Sequence, residues 1–114
     1  MKWYKNEQLL NYAKKADEAL DKKDTKSLYE ISEKLEKIST DYVESKIMYA
    51  YYLYISFTSL NNYIDIKVNN KETVEWEKLI EKSLFLARTA INSMDEYLKD
   101  TEIDKIEYLS LIHI

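Results

Sequence analysis

The stretch Ile47–Ile64, IMYAYYLYISFTSLNNYI, decides the fold. It is the longest run without a charged residue in a chain where 33% of residues are Asp, Glu, Lys or Arg. Tyr49, Tyr51, Tyr52, Tyr54 and Tyr63 add large apolar rings, each with one polar tip, around its whole circumference. A helix that is apolar all round must be covered on more than one side. Local propensity alone would make Tyr51–Thr58 (YYLYISFT) a strand. The length of the run and its helical surroundings override that preference. The stretch therefore predicts a buried central helix from about Tyr42 to Ile64.

The run is long enough to raise the question of a membrane span. Only Ile47, Met48, Ala50, Leu53, Ile55, Phe57, Leu60 and Ile64 in it favour hydrocarbon; the remainder are Tyr, Ser, Thr and Asn. A buried helix of a soluble domain is the better reading.

Composition points the same way. The 114 residues make one domain or a piece of one, and 46% hydrophobic residues suffice for a core. Glycine and proline are both absent. Tight turns, sheet bulges and phosphate-cradling loops lean on those two residues, so helices with short polar links are expected. Without cysteine there is no disulfide framework, thiol nucleophile or zinc ribbon. The opening MKWYKNEQLL lacks the apolar run of a secretory signal, which predicts a cytoplasmic protein. The net charge is −4 and no basic stripe exists, which argues against nucleic-acid binding by this chain.

Outward from the central helix, the flanks read as amphipathic. Leu9, Ala13, Ala16 and Leu20 recur on one face of a first helix over Glu7 to about Lys23. Trp3 and Tyr4 could fold back as an end plug. Asp24 is placed to cap a second helix, Thr25–Ile38, striped by Leu28, Ile31, Leu35 and Ile38. So short a link predicts an antiparallel hairpin. Asp41 with Glu44 is placed as a capping box for the central helix, and Asp65–Thr73 as a loop turning at Asn69-Asn70. A fourth helix is predicted from about Val74 to Lys99. Its face comprises Trp76, Ile80, Ser83, Ala87, Ala90, Met94 and Tyr97, with Leu79, Leu86, Ile91 and Leu98 extending it sideways towards a second neighbour. Thr101 and Asp104 could cap a fifth helix from Glu102.

The small residues of these hairpins are spaced alike. Ala16 is followed by Leu28, Ser32 and Leu35; Ser56 is followed by Ser83, Ala87 and Ala90, again at steps of four and three. The pattern resembles a degenerate tetratricopeptide repeat, with Ile55-Ser56 where that family has Leu-Gly and Leu84–Ile91 (LFLARTAI) as its most family-like stretch. Leu28, Ser83 and Leu35 stand where the family has Ala, and no proline closes either repeat. The resemblance implies an all-α chain of antiparallel αα-hairpins, with the first helix of each hairpin lining a concave side. Ala13, Asp17, Leu53, Phe57 and Asn61 are then the candidate partner-binding residues. An ordinary four-helix bundle using small residues for close packing fits the same spacing.

The chemistry-bearing side chains do not converge. Glu72, Glu75, Glu77 and Glu81 suit the start of a helix and its dipole, and no Glu-x-x-His partner accompanies them. Arg88, the one arginine beside 16 lysines, reads as a structural ion pair with Glu81 or Asp95. Nothing offers a nucleophile beside a group poised near neutral pH, so no catalytic residue, metal or cofactor is expected. The last six residues, Leu109–Ile114 (LSLIHI), match the translation of a transposon-end sequencing adapter and are expected to be non-native. On that reading the chain is the N-terminal part of a longer bacterial protein.

Three functions follow as expectations. The leading one is a protein- or peptide-binding helical-repeat scaffold module of a larger cytoplasmic protein. The second is a stand-alone four-helix-bundle regulatory or immunity-type protein. The third is the repeat region preceding a HEPN-type RNase, an arrangement the spacing resembles, whose Arg-x-x-x-x-His catalytic part would lie outside this chain. The expected partner is a protein or peptide, not nucleic acid or membrane, with self-association through the C-terminal end.

Overall fold

Helix ends are set by side chains reaching the amides that a helix leaves without partners. In the computed structural model, which describes residues 6–73 and 75–100, Asn6 caps α1 (Glu7–Asp21), its Oδ1 accepting from the Leu9 amide at 2.9 Å. Asp24 caps α2 (Thr25–Ser39) as anticipated, accepting from the Ser27 amide at 3.2 Å and from the Ser27 hydroxyl at 2.7 Å. A short 3-10 turn, Thr40–Tyr42, precedes α3 (Lys46–Asn69), and α4 spans Trp76–Asp100. The described residues contain no strand, and YYLYISFT is helical throughout. The expected end plug, the start of a helix at Val74, the fifth helix and the tail lie outside the described residues.

Two expected boundaries move. Asp41 does not cap the central helix: Ser39 and Thr40 hydroxyls donate back to the Glu36 and Lys37 carbonyls, prolonging the end of α2 into the 3-10 turn that takes up Asp41. Helix α3 then starts at Lys46 with Ser45 at its cap position. At the other end α3 does not stop at Ile64. Ile66 is buried against Ala19 and Leu28, and that contact carries the helix on to Asn69.

Both α1 and α3 end in the same way. After α1, Asp24 N–H bonds to the Ala19 carbonyl (2.8 Å) and Lys23 N–H to Leu20 (3.0 Å). After α3, Glu72 N–H bonds to Lys67 (3.1 Å) and Lys71 N–H to Val68 (3.0 Å). These are Schellman closures, which need a left-handed residue and usually take glycine. The chain has none, and lysines occupy both positions, Lys23 at φ 52° and Lys71 at φ 57°.

The helices stack in series. α1 packs on α2, α2 on α3, and α3 on α4, with a lesser contact between α1 and α3. α4 makes no comparable packing with α1 or α2 among the described residues. The central helix is covered as its composition required. Ile47, Met48, Ala50, Tyr51 and Tyr52 join Leu9, Ile31, Leu35 and Met94 in one cluster, while Leu53 and Leu60 join Leu86 and Ala90 in another.

Small residues let the helices come close. At the α2–α3 crossing, fully buried Ser32 and Ser56 each donate to the other's backbone carbonyl, at 2.8 and 2.7 Å. Ser93 of α4 donates to the Lys46 carbonyl at the start of α3 (2.7 Å), beside a Lys46–Glu96 ion pair at 3.6 Å. Lys82 of α4 reaches Glu36 of α2 at 3.0 Å. The N-terminus of α1 is held by Tyr52, whose hydroxyl proton lies between Asn6 Oδ1 (3.0 Å) and Gln8 Oε1 (3.1 Å). The Tyr52 ring stacks on Tyr42 at 4.7 Å between centroids.

Candidate interaction surface

Three surfaces could carry a partner. The first is the pair of odd-numbered helices. Ala13 is half-buried on α1, and Asp17 is exposed one turn on. On α3, Asn61 is exposed and Phe57 is half-buried against the α3–α4 cluster, its ring 6.3 Å from Tyr54. Leu53 is 1% exposed and packs with Leu60, Leu86 and Ala90. It therefore belongs to the core and has no surface to offer a ligand. Leu53 and Phe57 lie on the side of α3 that α4 covers, which spacing within α3 alone does not reveal.

The second surface is a cleft of about 290 Å³ between α1 and α2. Lys15, Lys22 and Lys34 line it together with Glu18, Asp24 and Glu30, and Lys15 Nζ sits 5.5 Å from the centre of the Tyr12 ring. Opposite charges alternate along its walls, so it presents no field of one sign to an ionic ligand.

The third surface is the outer face of α4. Ser83, Ala90 and Met94, of the face read in the sequence, are buried, and Leu86 joins them. Ile80 is not in that face; it is 49% exposed, and with Leu84 (47%) and Ile91 (55%) it forms a stripe at steps of four and seven. Leu86, expected on the sideways extension, lies instead in the α3 contact, with Leu79 and Leu98 packed at the edges of the core. Adjacent residues on a helix differ in direction by about 100°, so a small rotation exchanges Leu79 and Ile80 between core and surface. Arg88 and Glu81 flank the stripe, and neither has an ion-pair partner among the described residues. Seven residues apart on one helix, they are too distant to pair with each other.

Electrostatics within the fold are structural. Burial raises the Tyr52 phenol above its ordinary value, and the neighbouring Tyr42 adds to this while Asn6 opposes it. Burial likewise raises Tyr54. The Ser27 hydroxyl and amide hold Asp24 below the usual carboxylate range. Glu72 is lowered and Lys67 raised by their mutual hydrogen bond of 2.9 Å. No cluster of His, Asp or Glu among the described residues could hold a metal, and no described helix is long and apolar enough to cross a membrane.

The architecture is an all-α stack of antiparallel helices. No known protein family, curated protein or solved structure matches the chain.

Proposed function

We propose that the chain is a protein- or peptide-binding helical module of a cytoplasmic protein, of the helical-repeat kind. The observation that carries this reading is the serial packing of the helices: among the described residues, α4 rests on α3 and makes no comparable packing with α1. A closed four-helix bundle would bury the outer face of its last helix against the first. A stack that grows by adding one helix to the previous one leaves surfaces along its row and at its end. Those surfaces are where repeat proteins engage partners. The face of α1 and α3 that bears the exposed Asp17 and Asn61 is the place for a peptide, with half-buried Ala13 supplying apolar contact beside Asp17.

The reading is tested by panning a random peptide library against the immobilised chain and mapping the selected sequence by NMR shift perturbation. A binding module returns a consensus whose footprint includes Asp17 and Asn61, and Asn61→Arg abolishes its binding while the helical spectrum persists. Failure to enrich any consensus, or a footprint insensitive to both residues, would refute it.

A further inference from the structure

We propose that α1 is an exchangeable element: two copies of the chain swap their first helices, each α1 docking on α2 and α3 of the other copy. The proposal uses no part of the outer face of α4 and does not rest on the peptide-binding reading. The hinge is the short link Lys22–Asp24 between α1 and α2. It is held bent by Lys23 at φ 52°, a left-handed conformation that strains any residue with a Cβ. Glycine and proline are what ordinarily keep two successive helices apart, and the chain has neither. Asp21, Lys22, Lys23 and Asp24 are all exposed, so no core contact of their own fixes the bend. With Lys23 in right-handed backbone, α1 and α2 run on as one helix from Glu7 to Ser39, about 50 Å long at 1.5 Å per residue.

Straightening the link sacrifices little hydrogen bonding. In the bent form the Ala19 and Leu20 carbonyls accept from the Asp24 and Lys23 amides; in a continuous helix they accept from Lys23 and Asp24 instead. The bonds from Lys22 to Glu18 and from Leu28 to Asp24 already have helical spacing and are kept. The Ser27 amide exchanges the Asp24 carboxylate for the Lys23 carbonyl, while Thr25 and Lys26 gain the Asp21 and Lys22 carbonyls. α1 itself loses nothing by changing hosts. Leu9 joins the cluster of Ile31, Leu35, Met48 and Tyr52, and Ala19 meets Leu28 and Ile66, whichever copy supplies the helix. The Tyr52 hydroxyl donates to Asn6 and Gln8 in the same way. Since an exchanged helix makes the same contacts, the conformation of the hinge decides the balance.

Exchange competes with docking in the same chain once the concentration approaches that of α1 on its own short link, of the order of millimolar. The full chain is therefore refolded from denaturant at micromolar and at near-millimolar concentration, and each sample is sized. The dilute sample is expected to be monomeric and the concentrated one to contain a dimer. Lys23→Gly relieves the left-handed position in the bent link and weakens the continuous helix. Each hinge should shift by about tenfold, and the two hinges of a dimer together by about a hundredfold. Lys23→Ala keeps the strain and favours helix, so it should dimerise at least as well as the parent. Cross-linking reads the exchange directly, because the chain has no cysteine of its own. Lys15 of α1 and Glu30 of α2 line the same cleft. Lys15→Cys chains and Glu30→Cys chains are mixed in denaturant, refolded together at the higher concentration and treated with a short bismaleimide. Peptide mass spectrometry should find positions 15 and 30 linked between chains. No dimer at near-millimolar concentration, a Lys23→Gly dimer as stable as the parent's, or a dimer without that link would each overturn the proposal.

Discussion

Replacing Ser56 tests how closely α2 and α3 approach. Ser56 is 0% exposed and Ser32 1%, and each hydroxyl donates to the carbonyl of the other residue at 2.7–2.8 Å. There are two hydroxyl protons and two carbonyls, so the 3.1 Å contact between the oxygens adds proximity without a third proton. Ser56→Ala removes one donor. The Ser32 carbonyl that loses it lies inside a helix, where backbone amides also serve it, so the cost is that of one hydrogen bond, about 1 kcal/mol. Ser56→Leu loses the same bond and pushes a branched side chain into the helix crossing, adding about 1–3 kcal/mol of overpacking. For a domain near this size each kcal/mol lowers Tm by about 4–8 °C. Thermal melts followed by circular dichroism should therefore place Ser56→Ala some degrees below the parent and Ser56→Leu well below that. Ser56→Leu melting within a degree or two of the parent would show that the backbones are not held close there, and the account of the α2–α3 interface would fail.

Further outcomes follow from the helix ends and the titrating groups. Lys23→Gly and Lys71→Gly should each raise stability by about 0.5–1 kcal/mol, since left-handed backbone strains a side chain with a Cβ; denaturant titration checks this. Tyr52 is raised in the folded state, so its contribution is complete below the ordinary phenol value and is lost as pH climbs through the raised one. Melts at rising alkaline pH should show Tyr52→Phe less stable than the parent at neutral pH but losing less stability above pH ~10. Asp24 is lowered, so its contribution is present above the ordinary carboxylate value and disappears as pH falls through the lowered one. Asp24→Asn should keep a capping oxygen yet show a shallower fall in Tm on acidification than the parent.

What the sequence makes legible here is what short-range spacing encodes. Leu28, Ile31 and Leu35 all reach the core, and the Asp24 cap forms, because both depend on residues a turn apart. The two-sided burial of α3 is visible in its lack of charge. The misses come from partners distant in sequence. Ala19, rather than Leu20, is buried at the end of α1, because Leu28 and Ile66 meet it there. Asp65–Val68 reads as polar loop until Ile66 is given those neighbours. On α4 the packed face is legible in Ser83, Ala90 and Met94, but Leu86 joins it and Ile80 leaves it because of where α3 meets the helix. Leu53 fails as a groove residue for the same reason. The lysines at Lys23 and Lys71 carry no sign of left-handed backbone, since that conformation is imposed by the closure around them.

A chain without glycine must find another way to bring helices together, and here serine does it. A buried serine is nearly as small as alanine but needs a partner for its hydroxyl, and at two interfaces the partner is a carbonyl of the neighbouring helix. Such a contact fixes both separation and register, because the hydroxyl must meet one particular carbonyl. Helix α3 is tied in this way to α2 through Ser32 and Ser56, and to α4 through Ser93. The outer stripe of α4 is of another kind. Ile80, Leu84, Ala87 and Ile91 include no serine, so a helix laid on it need not present a carbonyl in register.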